Sequence, residues 1–582
     1  MVLSSRLKSR ILLMKQPVKL LILIMLVGLF LRIWGAGFGL PYLFHADETH
    51  TVNLSASLGY NLLNPKIFWK PAFIYYLTGL GYGLYFLLGK LIGIFPNLNS
   101  FKELFVLNPT SFYMIGRVII GVVFGVLSIP AIYNLGKRFY SQRTGLLSAL
   151  FLSVSFIHVQ NSHYIAHDIP VLFFIILTLN YAYDIFSYGR LKDYLKAGLC
   201  LGLAVATKYN AVLVFIAILF AHLFLISKKK PFQVRNIFSM KLVYSILLAG
   251  SVFFIINPYI FIDFSSFKET FLDLSHVTGY IGFSHHIRVG IIEGVGIGIF
   301  LSGILGFLYI TKTGIKKAIL LLCFPLLYYV HLVFFSQAHE RYALILVPFW
   351  IVLAGFFLDN IFSFLQVRCK KVIATFFAVI IIGLIISQTF YKSLYSDWLF
   401  SKKDTRILAA EWIERNISPG SNLVVDHTFF KPVIRQSYQQ LKEKEVYIAD
   451  KGLSGAQNDK LDIMLKAYKE DLSPGYNIFY LGDMDEDKNV YIFSEYPKIR
   501  TTKKSLSAHD IEYAIITNEG NAKLSPDWLP ETSKLIHQIS PYRKMPNIDE
   551  NEYISVTAGP FRDKNLFSRD NNGPLIMIYK IR

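Results

Sequence analysis

Charged residues are scarce: Asp, Glu, Lys and Arg make up 17% of the 582 residues, where soluble domains carry about a quarter. That scarcity excludes a soluble enzyme of this length. Cysteine is scarcer still, with three in the whole chain. Cys200, Cys323 and Cys369 lie in or beside apolar runs and the polar C-terminal third has none, so disulfides and cysteine metal clusters are not expected. Acidic residues are few beside basic ones, 39 against 59, for a net charge of +20. The basic residues form short clusters between apolar runs rather than one basic face, which is the positive-inside pattern and not the footprint of a nucleic-acid partner. Short internal repeats and low-complexity tracts are absent as well.

What is present is apolar: 53% hydrophobic and 15% aromatic residues, arranged in runs near the roughly 20 residues that cross a bilayer's hydrocarbon core. The chain therefore reads as a polytopic α-helical membrane protein. Its first apolar run, residues 20–40, follows Arg6, Lys8, Arg10, Lys15 and Lys19 and has no small-residue cleavage site. It reads as an uncleaved anchor with its N-terminus in the cytoplasm. Further basic clusters fall at Lys137, Arg138 and Arg143, then at 190–196, 228–235, 312–317 and 368–371.

Two neighbouring cytoplasmic clusters must be separated by an even number of crossings. The runs 20–40, 71–95 and 113–135 precede Lys137, so one of them does not cross. The middle run carries Gly79, Gly81, Gly83, Gly89 and Lys90 and starts at Lys70-Pro71; it is expected to be juxtamembrane or re-entrant on the outer side. The remainder fits hairpins at 144–187, 196–226, 237–310 and 316–364 and a last span at 372–391, about 11 spans in all. On this count residues 1–391 form the membrane domain in a plasma or inner membrane. Residues 41–112 are its first outer loop, and 392–582 lie outside the cytoplasm.

From Lys392 the composition becomes that of a soluble domain. Asp404 can cap a helix bearing Leu408, Trp412 and Ile413 on one face, ended by Ser418-Pro419-Gly420 before a strand at 422–426. Strand-like segments recur at 477–481, 513–517 and 575–581 with helical stretches between, which predicts a C-terminal α/β domain.

Ionisable residues gather on the outer side of this topology. His45, Asp47, Glu48 and His50 follow the first span, then Lys70; carboxylates just past an apolar span are costly unless solvated or used. Asp47 can equally cap a helix over 48–58. Asp168, within Ser162 to Pro170, starts the fourth span on the same face, where it too can serve as a cap ahead of Pro170. The loop 257–290 adds His276, His285, His286 and Arg288, but paired histidines without a fixed third ligand do not make a metal site. Arg341 either neutralises a phosphate or anchors the next span, and Lys208 carries the same two readings. The 49 Phe and 35 Tyr are mostly bilayer and packing material.

In this order these residues resemble the integral-membrane glycosyltransferases of the GT-C superfamily, in the branch of protein O-mannosyltransferases and of the aminoarabinose transferases that modify lipid A. His45-Ala46-Asp47-Glu48 looks like the acidic motif of the first outer loop, and Lys70-Pro71 like the branch's lysine-proline motif. Gly116-Arg117 with 134–138 is similar to its second span and cytoplasmic turn. The similarity continues through 158–170 with Asp168, 198–209 with Lys208, Arg341-Tyr342 with Pro348, and 404–420 with Ala410-Glu411-Trp412-Ile413. Trp69 stands where lipid A transferases have a glutamate before the lysine-proline pair, so no role of that glutamate carries over. The six tryptophans are isolated, and the missing Trp-Trp-Asp signature counts against an oligosaccharyltransferase.

The resemblance implies a sugar donor linked to polyprenyl phosphate, presented from the outer leaflet, and an acceptor hydroxyl on a glycan, lipid or protein. It makes Asp47 the base of a single inverting displacement, with Glu48 orienting the acceptor or supporting Asp47. Asp168 would hold sugar hydroxyls or share the proton. Lys70, Arg341 and Lys208 would pair with the departing phosphate. His45, His50, His163 and Tyr342 are expected to touch acceptor or sugar. No cofactor is required; a divalent metal could do similar work, but no residue pattern asks for one. The rival reading, a transporter or flippase of lipid-linked sugars, calls for inverted repeats and charges facing a midplane cavity. A sensor would leave Asp47, Lys70 and Asp168 without work.

Overall fold

The computed structural model describes residues 2–228, 237, 239–275, 282–310, 314–334, 339–426, 431–451, 455–471, 475–482, 497–518, 526–544 and 566–581. The chain folds into two compact units. One comprises Met1–Ala36, Thr51–Gly81 and Ile115–Asp397, and the other Gly37–His50, Tyr82–Met114 and Trp398–Arg582.

The first unit is helical. Among the described residues, seven helices are long and apolar enough to cross a membrane, and an eighth is reached if His286–Val295 and Ile297–Tyr309, bent by 113°, form one broken span. The bend falls at Gly296, whose φ of +84° only glycine adopts without strain. The expected eleven crossings require three shorter helices as well, Gln142–Val154, Leu191–Thr207 and Met240–Ile256. The helix Phe73–Leu91, expected not to cross, is not among the seven. Lipid gives no hydrophobic drive for helices to associate, so close packing must supply it. Gly198 shows how: a Cβ there would stand 2.3 Å from the Ser245 carbonyl oxygen, so only glycine lets Leu191–Thr207 lie against Met240–Ile256.

The second unit contains the C-terminal α/β domain. Its six strands are β1 (Asn422–Val425), β2 (Asn477–Leu481), β3 (Lys498–Ile499), β4 (Tyr513–Asn518), β5 (Lys534–Ile539) and β6 (Leu575–Lys580). They lie in the order β3-β2-β1-β4-β6-β5. The first four are parallel, while β6 runs antiparallel to both β4 and β5. Both faces are buried, as a central parallel sheet requires. Leu423, Val425, Ile478, Ile515 and Ile578 pack with Ala409, Ile413 and Tyr476 on one side, and Val424, Ala514, Ile516 and Met577 with Leu506 and Leu529 on the other. The helix Thr405–Asn416 starts as its sequence implies, the Asp404 carboxylate accepting the Arg406 N–H at 3.0 Å. Its buried stripe is Arg406, Ala409, Ala410 and Ile413, with Trp412 partly buried.

Where β1 ends, the Asp426 carboxylate accepts the Thr517 N–H at 2.9 Å and its hydroxyl at 2.6 Å. Burial outweighs these bonds and raises the acid from 3.8 to about 6. The folded state therefore holds this proton more firmly than the unfolded chain between those values. The resulting stabilisation is full below pH 3.8, is lost as pH rises to about 6, and is constant above. We expect about 3 kcal/mol of it, read as the opening free energy of β1 and β4 amides by hydrogen exchange. Asp426→Asn should flatten that profile.

Candidate functional site

Three apolar segments of the first unit begin at one place. Asp168 is the first residue of Asp168–Ser187, Lys208 immediately precedes the 3-10 turn Tyr209–Val214, and Arg341 and Tyr342 lie in the 3-10 turn Glu340–Leu346. The unpaired N–H groups of helix starts make such a place electropositive. Asp168 is thus a first-turn residue and not the cap, that position falling to His167, which makes no capping bond.

Lys208 Nζ is 2.8 Å from Asp168 Oδ1, both largely buried, and lies 4.6 Å above the Tyr342 ring. The Arg341 guanidinium also lies over that ring, at 5.7 Å. The charges of Lys208, Arg341 and Lys70 all act on the Asp168 carboxylate. Cations gathered in this way suit a phosphate group. Tyr328 adds a buried hydroxyl, donated to the Tyr342 carbonyl at 3.4 Å and close to both Lys208 and Asp168. Sequence reasoning missed it because a tyrosine in an apolar helix looks like packing.

The chain before Lys70 is strained and clamped. Leu62, Leu63 and Lys66 have φ of 49°, 67° and 62°, a left-handed conformation costly for non-glycine residues. Asp263 secures this stretch, accepting from Asn64 Nδ2 at 2.7 Å and pairing with Lys66 Nζ at 3.1 Å. Hydrogen bonds from Asn64 and Ser266, with the Lys66 charge, hold that carboxyl well below the usual range. The Ala72 N–H donates to Asn257 Oδ1 at 2.7 Å and the Tyr209 hydroxyl to the Phe68 carbonyl at 3.1 Å. Lys70 therefore stands on a segment fixed from both sides.

The acids of the first outer loop belong to the second unit. The helix Ala46–Ser57 opens with the His45 carbonyl accepting from the Glu48 and Thr49 N–H groups. Asp47 and Glu48 sit inside its first turn, so the expected cap at Asp47 is displaced by two residues. Negative charge still favours that end of the helix. Asp47 is half-buried and Glu48 is buried, its charge acting on the Tyr82 hydroxyl. His45 is buried and His50 half-buried.

His163 is fully buried, with Nδ1 3.0 Å from the Val159 carbonyl and Nε2 2.9 Å from that of Trp34. It belongs to a polar cluster the sequence reading overlooked. Arg32 Nη2 meets His158 Nδ1 at 2.8 Å, Arg32 also donates to the Ser153 and Leu152 carbonyls, and Asp397 lies 3.6 Å from His163. An arginine and an aspartate within apolar helices were the signal. Of the loop histidines, His285 and His286 stack edge to face at 5.1 Å, while His276 lies outside the described residues. Among those described, no three His, Cys, Asp or Glu side chains converge as metal ligands.

Residues 110–258, which contain Asp168 and Lys208, match the sequence family described as dolichyl-phosphate-mannose-protein mannosyltransferase. A protein of Aquifex aeolicus (strain VF5), described only as uncharacterized, is 30% identical over 226 residues, covering 37% of this chain and 40% of that relative. The match thus spans two fifths of that relative's length. Among solved structures, ArnT from Cupriavidus metallidurans bound to undecaprenyl phosphate aligns over 96% of this chain and 97% of its own, at 11% identity and a TM-score of 0.47. The oligosaccharyltransferase AglB from Archaeoglobus fulgidus, in complex with an inhibitory peptide and a dolichol-phosphate, aligns over 86% and 69%, at 13% identity and a TM-score of 0.48.

Proposed function

We propose that this chain is a membrane glycosyltransferase of the GT-C superfamily that moves a sugar from a polyprenyl-phosphate donor to an acceptor hydroxyl on the outer face of the membrane, with inversion. The observation that carries the reading is the buried Lys208–Asp168 pair, on whose carboxylate the charges of Arg341 and Lys70 also act. A sugar leaving a phosphodiester creates a second negative charge on the phosphate. Cations already placed and partly desolvated stabilise that charge as it develops. The matched family's description names a lipid-phosphate sugar donor, and the match covers two of the four residues of this site.

In this mechanism Asp47 takes the acceptor proton while the hydroxyl oxygen attacks the anomeric carbon. The bond to the phosphate oxygen breaks on the opposite face, and the electron pair leaves with the phosphate. Asp47 is the more accessible of the two loop acids, and the buried Glu48 supports it. Asp168 holds Lys208 in place and is available to sugar hydroxyls. The acceptor is a glycan, lipid or protein reached from outside the cytoplasm, and the C-terminal domain lies on that side.

Binding tests the site apart from the chemistry. Unsubstituted polyprenyl phosphate titrated onto the detergent-purified chain should bind saturably. Lys208→Met and Arg341→Gln should each weaken binding by about 10-fold or more, the scale of a lost charge-assisted contact. Equal affinity in both variants would remove the phosphate from this site.

A further inference from the structure

The segment that carries Asp47 folds with the C-terminal domain: Gly37–His50 and Trp398–Arg582 belong to the same compact unit. Two aromatic contacts fasten it. Phe38 stacks on Phe400 with ring centroids 4.7 Å apart. The Arg406 guanidinium carbon lies over the Phe44 ring, 3.7 Å from its centroid, with both residues buried. Arg406 cannot drift, because Asp404 grips its Nε and Nη2 at 2.8 Å each while also capping the helix in whose first turn Arg406 lies. Thr405 ties the same turn to the final strand region, its N–H donating to Asn572 and its hydroxyl to Pro574. Gly39 has a φ of +73°, and a Cβ there would strike the Phe44 ring at 2.6 Å. The turn is thus shaped around the seated phenylalanine.

We infer that Arg406 is a positioning residue: by seating Phe44 it fixes the start of Ala46–Ser57 and hence the direction of the Asp47 carboxylate. This rests on the reading of Asp47 as the base. Phe44 stands one residue before His45, whose carbonyl starts the helix, so little slack separates the stack from the acid. A planar, weakly hydrated guanidinium stacks on an aromatic face as an ammonium does not. The soluble domain thereby takes part in transfer without touching the sugar.

The test compares Arg406→Met, Arg406→Lys, Phe44→Leu and Phe44→Tyr in the full-length chain, all with wild-type thermal melting. We expect kcat to fall about 10- to 100-fold in the first three, the scale of a misplaced catalytic group. Donor KM and polyprenyl-phosphate affinity should not change, and Phe44→Tyr, which keeps the ring, should restore kcat. In an Asp47→Asn background Arg406→Met should cost nothing further, since its effect passes through Asp47. Hydrogen exchange at Glu48 and Thr49 should quicken in Arg406→Met whether or not activity is detectable. Unchanged exchange there, or an equal loss with and without Asp47, overturns the inference. A wild-type chain inactive with every donor instead fails the functional reading, which the exchange measurement does not depend on.

Discussion

Lys208→Met is expected to lower sugar transfer by about 10²–10³-fold, the cost of removing one preorganised partner of a developing charge. Methionine keeps much of the apolar volume of the lysine stem while deleting the charge. The loss should appear in kcat as well as in donor affinity, because the phosphate carries more charge in the transition state than in the bound donor. Asp168→Asn separates this explanation from simple damage to the site. Removing the carboxylate that pairs with Lys208 at 2.8 Å makes the site more positive, so released polyprenyl phosphate should inhibit more strongly. In Lys208→Met it should inhibit more weakly. A weakening of inhibition in both variants would mean that the ion pair is structural, since each variant leaves the other partner buried and uncompensated.

Asp47→Asn is expected to have the larger effect, about 10²–10⁴-fold on kcat, since asparagine keeps the shape and hydrogen-bonding reach of the side chain but cannot accept the proton. Binding of polyprenyl phosphate should be untouched. Glu48→Gln should cost less, because Glu48 is buried at 1% exposure and acts on its neighbours rather than on an incoming hydroxyl. Single-turnover transfer with saturating donor measures both. If Glu48→Gln proves the more damaging, the two acids exchange roles.

Much of the fold was legible because bilayers and sheets impose strong patterns. Apolar length marked the spans, and short strand-like apolar runs marked β1, β2, β4 and β6. The two strands not anticipated lacked that pattern. β3 is two residues long, and β5 is an exposed edge strand with a register irregularity between Leu535 and His537. Capping chemistry gave Asp404 correctly but misjudged Asp47 and Asp168, because an acid is as welcome in the first turn of a helix as at its cap. The structure brings Asp168, Lys208, Arg341 and Tyr342 together. Residues whose partners are distant in sequence stayed hidden. Asp263 reaches Lys66 across 197 residues and Arg406 reaches Phe44 across most of the membrane domain, and neither separation leaves a local signature. The carbonyl partners of His163, those of Val159 and Trp34, are likewise visible only in three dimensions.

Transfer itself tests the central claim most directly. Membranes containing the wild-type chain would be given a panel of radiolabelled polyprenyl-phosphate sugars, with membranes bearing Asp47→Asn at matched expression as the control. The account predicts that label from at least one donor moves to an endogenous acceptor in the wild type and not in the variant. Movement of the labelled lipid between leaflets, with no transfer from any donor, would contradict it and favour the transporter reading.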